Sequence, residues 1–270
     1  MMKKKCKHII MLTGESSCGK TTVRNKIKEI HDSAKRDNFF NFLLKEYDID
    51  MKHRFGIRFG YEYTTRPPRP EEVGKTPEEC GYKFVTEEEF ETVRATFGDD
   101  TEFLVRSYDV ITEDGLPATW SYLFVPENEM FTDDDREEIC ICCSNIDSYL
   151  LIRQYTELHT NYTCDAIHMV VPYETLLYRS IAREIEKPAE KQNIQELLRR
   201  FSVEHNPGIY TKPFRVNLFC NMRRWLGPSD YIYINNTHVV RFGGSIHEDS
   251  TLKDVATVLH TIDTKVYNRY

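Results

Sequence analysis

No run of apolar residues in this 270-residue chain is long enough to cross a bilayer. Positive charge is also scarce. The 36 Lys and Arg stand against 43 Asp and Glu, a formal net charge of -7 at pH 7, which argues against a protein that coats nucleic acid while allowing a local basic pocket. There is no internal repeat, no low-complexity linker and no paired Cys-x-x-Cys motif of the kind that holds zinc. The eight cysteines are therefore expected as buried free thiols, with Cys140, Cys142 and Cys143 crowded on one predicted strand. The opening "MMKKKCKHIIMLTG" has the basic-then-apolar order of a signal peptide. Its apolar part ends at Leu12 and runs straight into a glycine motif, too short for an h-region. We expect a cytoplasmic protein, partnered by neither nucleic acid nor membrane, in which the Asn161-Tyr162-Thr163 sequon has no meaning.

What the chain does have is 40% hydrophobic residues, enough for a core in one large α/β domain or a core domain with a smaller lobe. Lys7 to Leu12 reads as a short buried strand and Thr21 to about Ile30 as the helix after it. "FFNFLLKEYDI" reads as a second helical piece, and "IRFGYEYTT" as a strand leading into a proline-rich segment. From about Tyr82 to Val125 the runs "YKFV", "EFLVRSYDVI" and "TWSYLFV" predict a small β-rich lobe, joined by a helix over "TEEEFETVRATFGDD" and a turn at Asp114-Gly115. "EEICICCS" and "AIHMVV" read as core strands, and "YETLLYRSIAREIE" and "IQELLRRFSVEH" as helices either side of a loop at Pro188. "DYIYINN" is expected as a final strand and "STLKDVATVLHTI" as a closing amphipathic helix. Strands alternating with helices predict an α/β fold: a parallel sheet with helices on both faces.

The strongest motif is "GESSCGKTT": Gly14, Glu15, Ser16, Ser17, Cys18, Gly19, Lys20, Thr21 and Thr22. It follows an apolar strand and opens a helix, the context that a phosphate-binding P-loop needs. Glycines let the backbone curl so that successive N–H groups point at phosphate oxygens, and the helix N-terminus adds its partial positive charge. Lys20 would reach the β- and γ-phosphates and the Thr21 hydroxyl would ligate Mg²⁺. The motif predicts nucleoside triphosphate binding and leaves the use of that nucleotide open.

A second feature is "EYTTRPPRPEEV", where Arg66 and Arg69 stand three apart beside Pro67, Pro68 and Pro70. Arginine offers planar, bidentate donors to phosphate, and neighbouring prolines lower the entropy lost when an anion is gripped. Two such arginines in a chain with a P-loop suggest a second phosphate site facing the first.

"TTRPPRPEEV" followed by "GYKFVTEEEF" resembles the guanylate kinase family. The resemblance implies a single domain over 1–270, with a lobe for the nucleoside monophosphate at 56–126 and a lid at 173–205. It implies that Arg66, Arg69 and Tyr82 bind the acceptor's phosphate with Glu72 bracing the arginines, and that Asn235, at the end of "DYIYINN", lies beside the donor's adenine. Arg179 and Arg183, four apart on one predicted helix face, and Arg200 beyond Pro188 match lid arginines that would stabilise the transferring phosphoryl group. The segment between Glu72 and Tyr82 is longer than is usual in the family. The base-reading positions also depart from it. Glu62 replaces a serine, Val105 a glutamate, and Cys142 and Ser144 an Asp-x-Asp pair, while Trp120 and Tyr122 fall where the family has a tyrosine and a small hydroxyl residue.

Phosphate handling is thus retained and base reading replaced. We expect an ATP- and Mg²⁺-dependent nucleoside monophosphate kinase whose best acceptor is not GMP. An ordinary GMP or dGMP kinase, a catalytically silent module that binds a protein, and a nucleotide hydrolase or switch stay open as alternatives.

Overall fold

The structure is a computed structural model that describes residues 7–15, 17–34, 39–112, 114–125, 138–158, 162–189, 192–195, 197–198, 237–241 and 251–266. The central strand β1 (Lys7–Gly14) pairs in parallel with β7 (Glu138–Cys143) on one side and β8 (Tyr162–Val170) on the other. Strands β2 (Gly56–Phe59) and β9 (Thr237–Arg241) complete a five-stranded parallel sheet in the order β2-β7-β1-β8-β9.

The apolar run "IIML" suits a strand covered on both faces. Ile10 and Leu12 join a fully buried cluster with helices α1 (Lys20–Ser33), α2 (Phe39–Tyr47) and α8 (Thr251–Thr261). Ile9 and Met11 point the other way, toward Tyr149, Ile152 and Tyr155 of α6 (Ile146–Leu158). On α1 the buried Val23, Ile27 and Ile30 follow the helical spacing of one face. After α8 the chain continues in a π-helical turn, where buried Asp263 accepts from the backbone N–H of Lys52 and His53 at 2.9 Å each. Six described cysteines, including Cys140, Cys142 and Cys143, are free thiols, and all but Cys143 are buried.

A second, four-stranded sheet has the order β4-β3-β6-β5, formed by β3 (Glu62–Thr64), β4 (Tyr82–Phe84), β5 (Val105–Ile111) and β6 (Pro117–Phe124). Only β3 and β4 run parallel. A short helix α3 (Pro77–Cys80) precedes β4, and α4 (Glu87–Ala95) follows Thr86, whose hydroxyl accepts from Glu89 N while the Glu89 carboxylate accepts from Thr86 N, a capping box that ends the β4 strand locally. The turn at Gly115, φ 75°, closes the β5–β6 hairpin.

The structure departs from the sequence expectations in several places. "IRFGYEYTT" is two strands in two different sheets. Gly60 N still bonds Ile141 O of the large sheet, whereas Glu62 N bonds Gly81 O beside the small one. The small sheet therefore begins at Glu62, and residues 56–59, placed in the lobe by sequence, belong to the core. "EFLVRSYDVI" opens with a helical turn, α5 (Thr101–Leu104), because fully buried Leu104 packs against the α6 side of the core rather than extending β5. Strand β8 starts at Tyr162, four residues before "AIHMVV". Of the segment expected as a lid, the described part is α7 (Tyr173–Ile185) with helical residues at 194–195 and 197–198. All of "DYIYINN" lies outside the described residues, and the described chain resumes directly after it with β9.

Candidate functional site

The P-loop lies at the C-terminal end of β1. Gly14 has φ 141°, and a Cβ there would stand 2.6 Å from Met169 O and 2.8 Å from Cys18 Sγ. Gly19, φ 101°, is the residue before α1, and such a conformation is natural only to glycine. Cys18 N donates to Glu15 O at 3.3 Å, which closes the curl. Lys20 Nζ folds back over the loop and donates to Gly14 O and Glu15 O, both at 2.8 Å. Thr21 and Thr22 are exposed on the first turn of α1. Beneath the loop, Thr13 Oγ1 meets His168 Nδ1 at 3.0 Å. Burial, with the Lys20 charge nearby, pushes the His168 imidazole down to about 4.

Helix α7 reaches the same loop. Arg179 Nη1 lies 3.7 Å from where a Gly19 Cβ would be, and Ser180 Oγ donates to Ser17 Oγ at 2.8 Å. Arg183 is exposed one turn further along. Asn193 Nδ2 donates to Ile111 O and Thr112 O at 3.2 and 2.7 Å, so the segment after α7 is pinned to the β5–β6 hairpin.

The proline segment holds Arg66 and Arg69 in unequal roles. Arg66 is 3% exposed and forks onto Glu72, Nη1 to Oε2 at 2.7 Å and Nη2 to Oε1 at 2.6 Å. Its Cζ sits 4.5 Å from the ring centroid of Tyr82 and 4.9 Å from that of Phe84. Glu72 Oε2 also accepts from Arg69 N at 2.8 Å. The Arg69 side chain is 45% exposed, its Nη1 3.9 Å from Glu72. Burial alone would ease the proton off Arg66, but the Glu72 carboxylate outweighs it and the guanidinium is held above its ordinary value. Glu72 shows the converse: burial raises it, and hydrogen bonds from Arg66 and Arg69 N bring it below the usual carboxylate range.

Opposite residues in a sheet share a face. The register therefore sets Glu62 and Thr64 beside Tyr82 and Phe84 on one flank, and Tyr122 with Arg106 and Trp120 with Tyr108 on the other. Arg106 Nη2 donates to Glu62 Oε1, and Ser144 Oγ donates to the same oxygen at 3.2 Å. Ser144 immediately follows β7, and its N–H bonds Leu12 O two residues before the P-loop. The small sheet's polar face thus meets the end of the parallel sheet where the P-loop begins. Burial raises the Tyr82 hydroxyl well above its ordinary value, and the Glu62 charge adds to the effect. A separate groove between α1 and β2, lined by Lys28, His31, Asp32, Arg58 and Phe59, contains none of these residues.

Sequence reasoning missed two arginines. Val105 was matched to a base-reading position, yet β5 turns Arg106 to that face and Val105 to the other. The alternation of Arg106, Tyr108 and Val110 was the available signal. Arg24, 1% exposed, donates from Nη2 to Gly60 O at 3.1 Å and Glu78 O at 2.7 Å. It ties the helix after the P-loop to the junction between the sheets. Cys142 is buried in the core. Ser16, Arg200 and Asn235 lie outside the described residues.

No family model and no curated protein matches the chain. Among solved structures, a gluconokinase from Sinorhizobium meliloti 1021 aligns over 98% of both chains at 11% identity with a TM-score of 0.31, a likeness too slight to bear on function.

Proposed function

We propose that this chain is an ATP- and magnesium-dependent kinase that passes the γ-phosphoryl group to a nucleoside monophosphate. What supports this reading is that the glycine loop after β1 and the lobe bearing Arg66 and Arg69 are joined at one end of the parallel sheet. The P-loop and Lys20 lie at the end of β1, and Arg66 and Arg69 lie on the lobe joined to it through Ser144 and Glu62. A hydrolase needs only the first element, whereas a phosphotransferase needs both.

The P-loop amides and Lys20 would hold the donor's phosphates, with Arg179 placed over Gly19 to meet charge that builds on the transferring group. Arg69, the exposed member of the pair, would grip the acceptor's phosphate, and Glu72 would hold Arg66 and the Arg69 backbone in place beneath it. Magnesium, when bound, neutralises charge on the β- and γ-phosphates. Thr21, exposed on the first turn of α1 directly after Lys20, is the residue that would hold it. Positioning and electrostatics do the catalysis, so no protein nucleophile is required.

The test is product identity. With ATP and a panel of nucleoside monophosphates, the protein should form ADP and a nucleoside diphosphate in equal amounts. Lys20→Ala should lose about 10²–10³-fold in turnover, the usual effect of removing one preorganised donor.

A further inference from the structure

We propose that Asn193 is a positioning residue for phosphoryl transfer, and that it makes α7 a strut holding the acceptor lobe in line with the P-loop. The inference rests on the kinase reading above and adds what aligns its two ligands.

Helix α7 is fastened at two points. Ser180 Oγ, on a middle turn, donates to Ser17 Oγ of the P-loop at 2.8 Å. Ser17 has φ 63°, a left-handed conformation that a residue other than glycine keeps only with support from its surroundings. The second point is Asn193, beyond the end of the helix. Its side-chain amide nitrogen carries two protons and donates to two successive carbonyls of the acceptor lobe, Ile111 O at 3.2 Å and Thr112 O at 2.7 Å. Buried Glu184, on the last turn of α7, accepts from Asn193 N and pairs with Lys187 at 2.9 Å. Gln192 Nε2 donates to Lys187 O at 3.0 Å. These bonds tie Asn193 to the helix.

The place where Asn193 meets the lobe decides what it can do. The small sheet joins the parallel sheet at Glu62, Arg106 and Ser144. From Arg106, β5 extends to Ile111, about 17 Å at the rise of an antiparallel strand. It is also the outer strand of the small sheet. A lobe anchored only at its base can rock about that base, and the displacement grows along β5. An anchor at the far end stops the rocking. Asn193 supplies that anchor, and Ser180 refers it to the P-loop.

The strut is not itself a grip, since under the proposed function Lys20 and Arg69 hold the two ligands' phosphates. Its effect falls on transfer. Reacting atoms must lie about 3–3.5 Å apart, and a misplacement of about 1 Å costs on the order of 100-fold. A rocking lobe also admits water, to which the γ-phosphoryl group then passes, giving ADP and inorganic phosphate.

The experiment measures kcat, both KM values and the ratio of ADP to nucleoside diphosphate, with ATP, Mg²⁺ and the monophosphate that the wild type uses best. Asn193→Asp keeps the shape of the side chain and removes its N–H groups. It and Asn193→Ala should lower kcat by about 10- to 100-fold with both KM values unchanged, and should form more ADP than nucleoside diphosphate. Asn193→Gln restores the amide and should recover most of the rate. Ser180→Ala releases the other point of the same strut and should give the same signature, which carries the test alone if the Asn193 variants do not fold. Asn193→Ala/Ser180→Ala should fall little below the slower single variant. Folded variants that keep the wild-type kcat and form ADP and diphosphate equally, or that raise a KM with kcat unchanged, overturn the strut and leave the kinase reading standing. So do single effects that multiply in the double variant. If folded wild-type protein makes no diphosphate from any monophosphate, both fall together.

Discussion

Two buried Arg–Glu pairs sit on the same lobe and are built differently. Arg66 meets Glu72 in a two-point fork between aromatic rings, and Glu72 spends its remaining capacity on Arg69 N. Arg106 meets Glu62 through Nη2, and its Nε and Nη1 have no hydrogen-bond partner of good geometry among the described residues. The first pair is closed: it fixes the proline segment whether or not a ligand is bound. The second is open, and the protein leaves its cost in place. Arg66 spends its guanidinium on Glu72 while the Arg69 side chain is exposed, so under the proposed function the phosphate grip falls to Arg69.

Removing one partner from the closed pair should produce the largest effect. Arg66→Ala strands the Glu72 carboxylate in a buried site and should cost about 3–5 kcal/mol, read by denaturant unfolding. An unchanged midpoint would mean that the fork braces nothing. Neutralising the open pair should be milder. Glu62→Gln/Arg106→Gln should change stability by under about 1 kcal/mol, since an incompletely satisfied ion pair contributes little net stability.

Acid should separate the groups by pH. His168 has a folded value depressed to about 4 from an ordinary 6.5. The unfolded chain therefore takes up its proton first, and stability falls between those values, by about 3 kcal/mol. Glu72, depressed below its ordinary 4.5, contributes stability that is present above that value and lost as pH falls through the lower folded one. Unfolding midpoints across pH 7 to 3 should therefore show two limbs, and His168→Asn should flatten only the upper one. The smallest stability effect belongs to Arg69→Ala. Its exposed side chain should cost under about 1 kcal/mol, while the KM for the acceptor rises and the KM for ATP stays put. Equal rises in both would erase the distinction between the two arginines.

How much of this was legible in sequence depends on the range of the interaction. The P-loop motif is contiguous, and its glycines dictate backbone curvature within a few residues, so Gly14, Gly19 and Lys20 could be read directly. Glu72 beside Arg66 is equally local. Arg106 could not be read this way, because a one-residue error in strand register moves a side chain to the opposite face. Val105 and Arg106 differ by that one step. The break at Gly60 was hidden because "IRFGYEYTT" alternates correctly throughout. What ends β2 is a change of hydrogen-bonding partner from Ile141 to Gly81. Arg24 and His168 owe their roles to partners 36 to 155 residues away, which no local pattern encodes.

The central claim, that two phosphate-bearing ligands meet at the end of the parallel sheet, is tested most directly by ADP formation with and without a nucleoside monophosphate. The account predicts that ADP production depends on the acceptor, matches diphosphate formation one for one, and collapses in Lys20→Ala. ADP released at the same rate without any acceptor, or an acceptor-dependent rate that Lys20→Ala leaves intact, would contradict it.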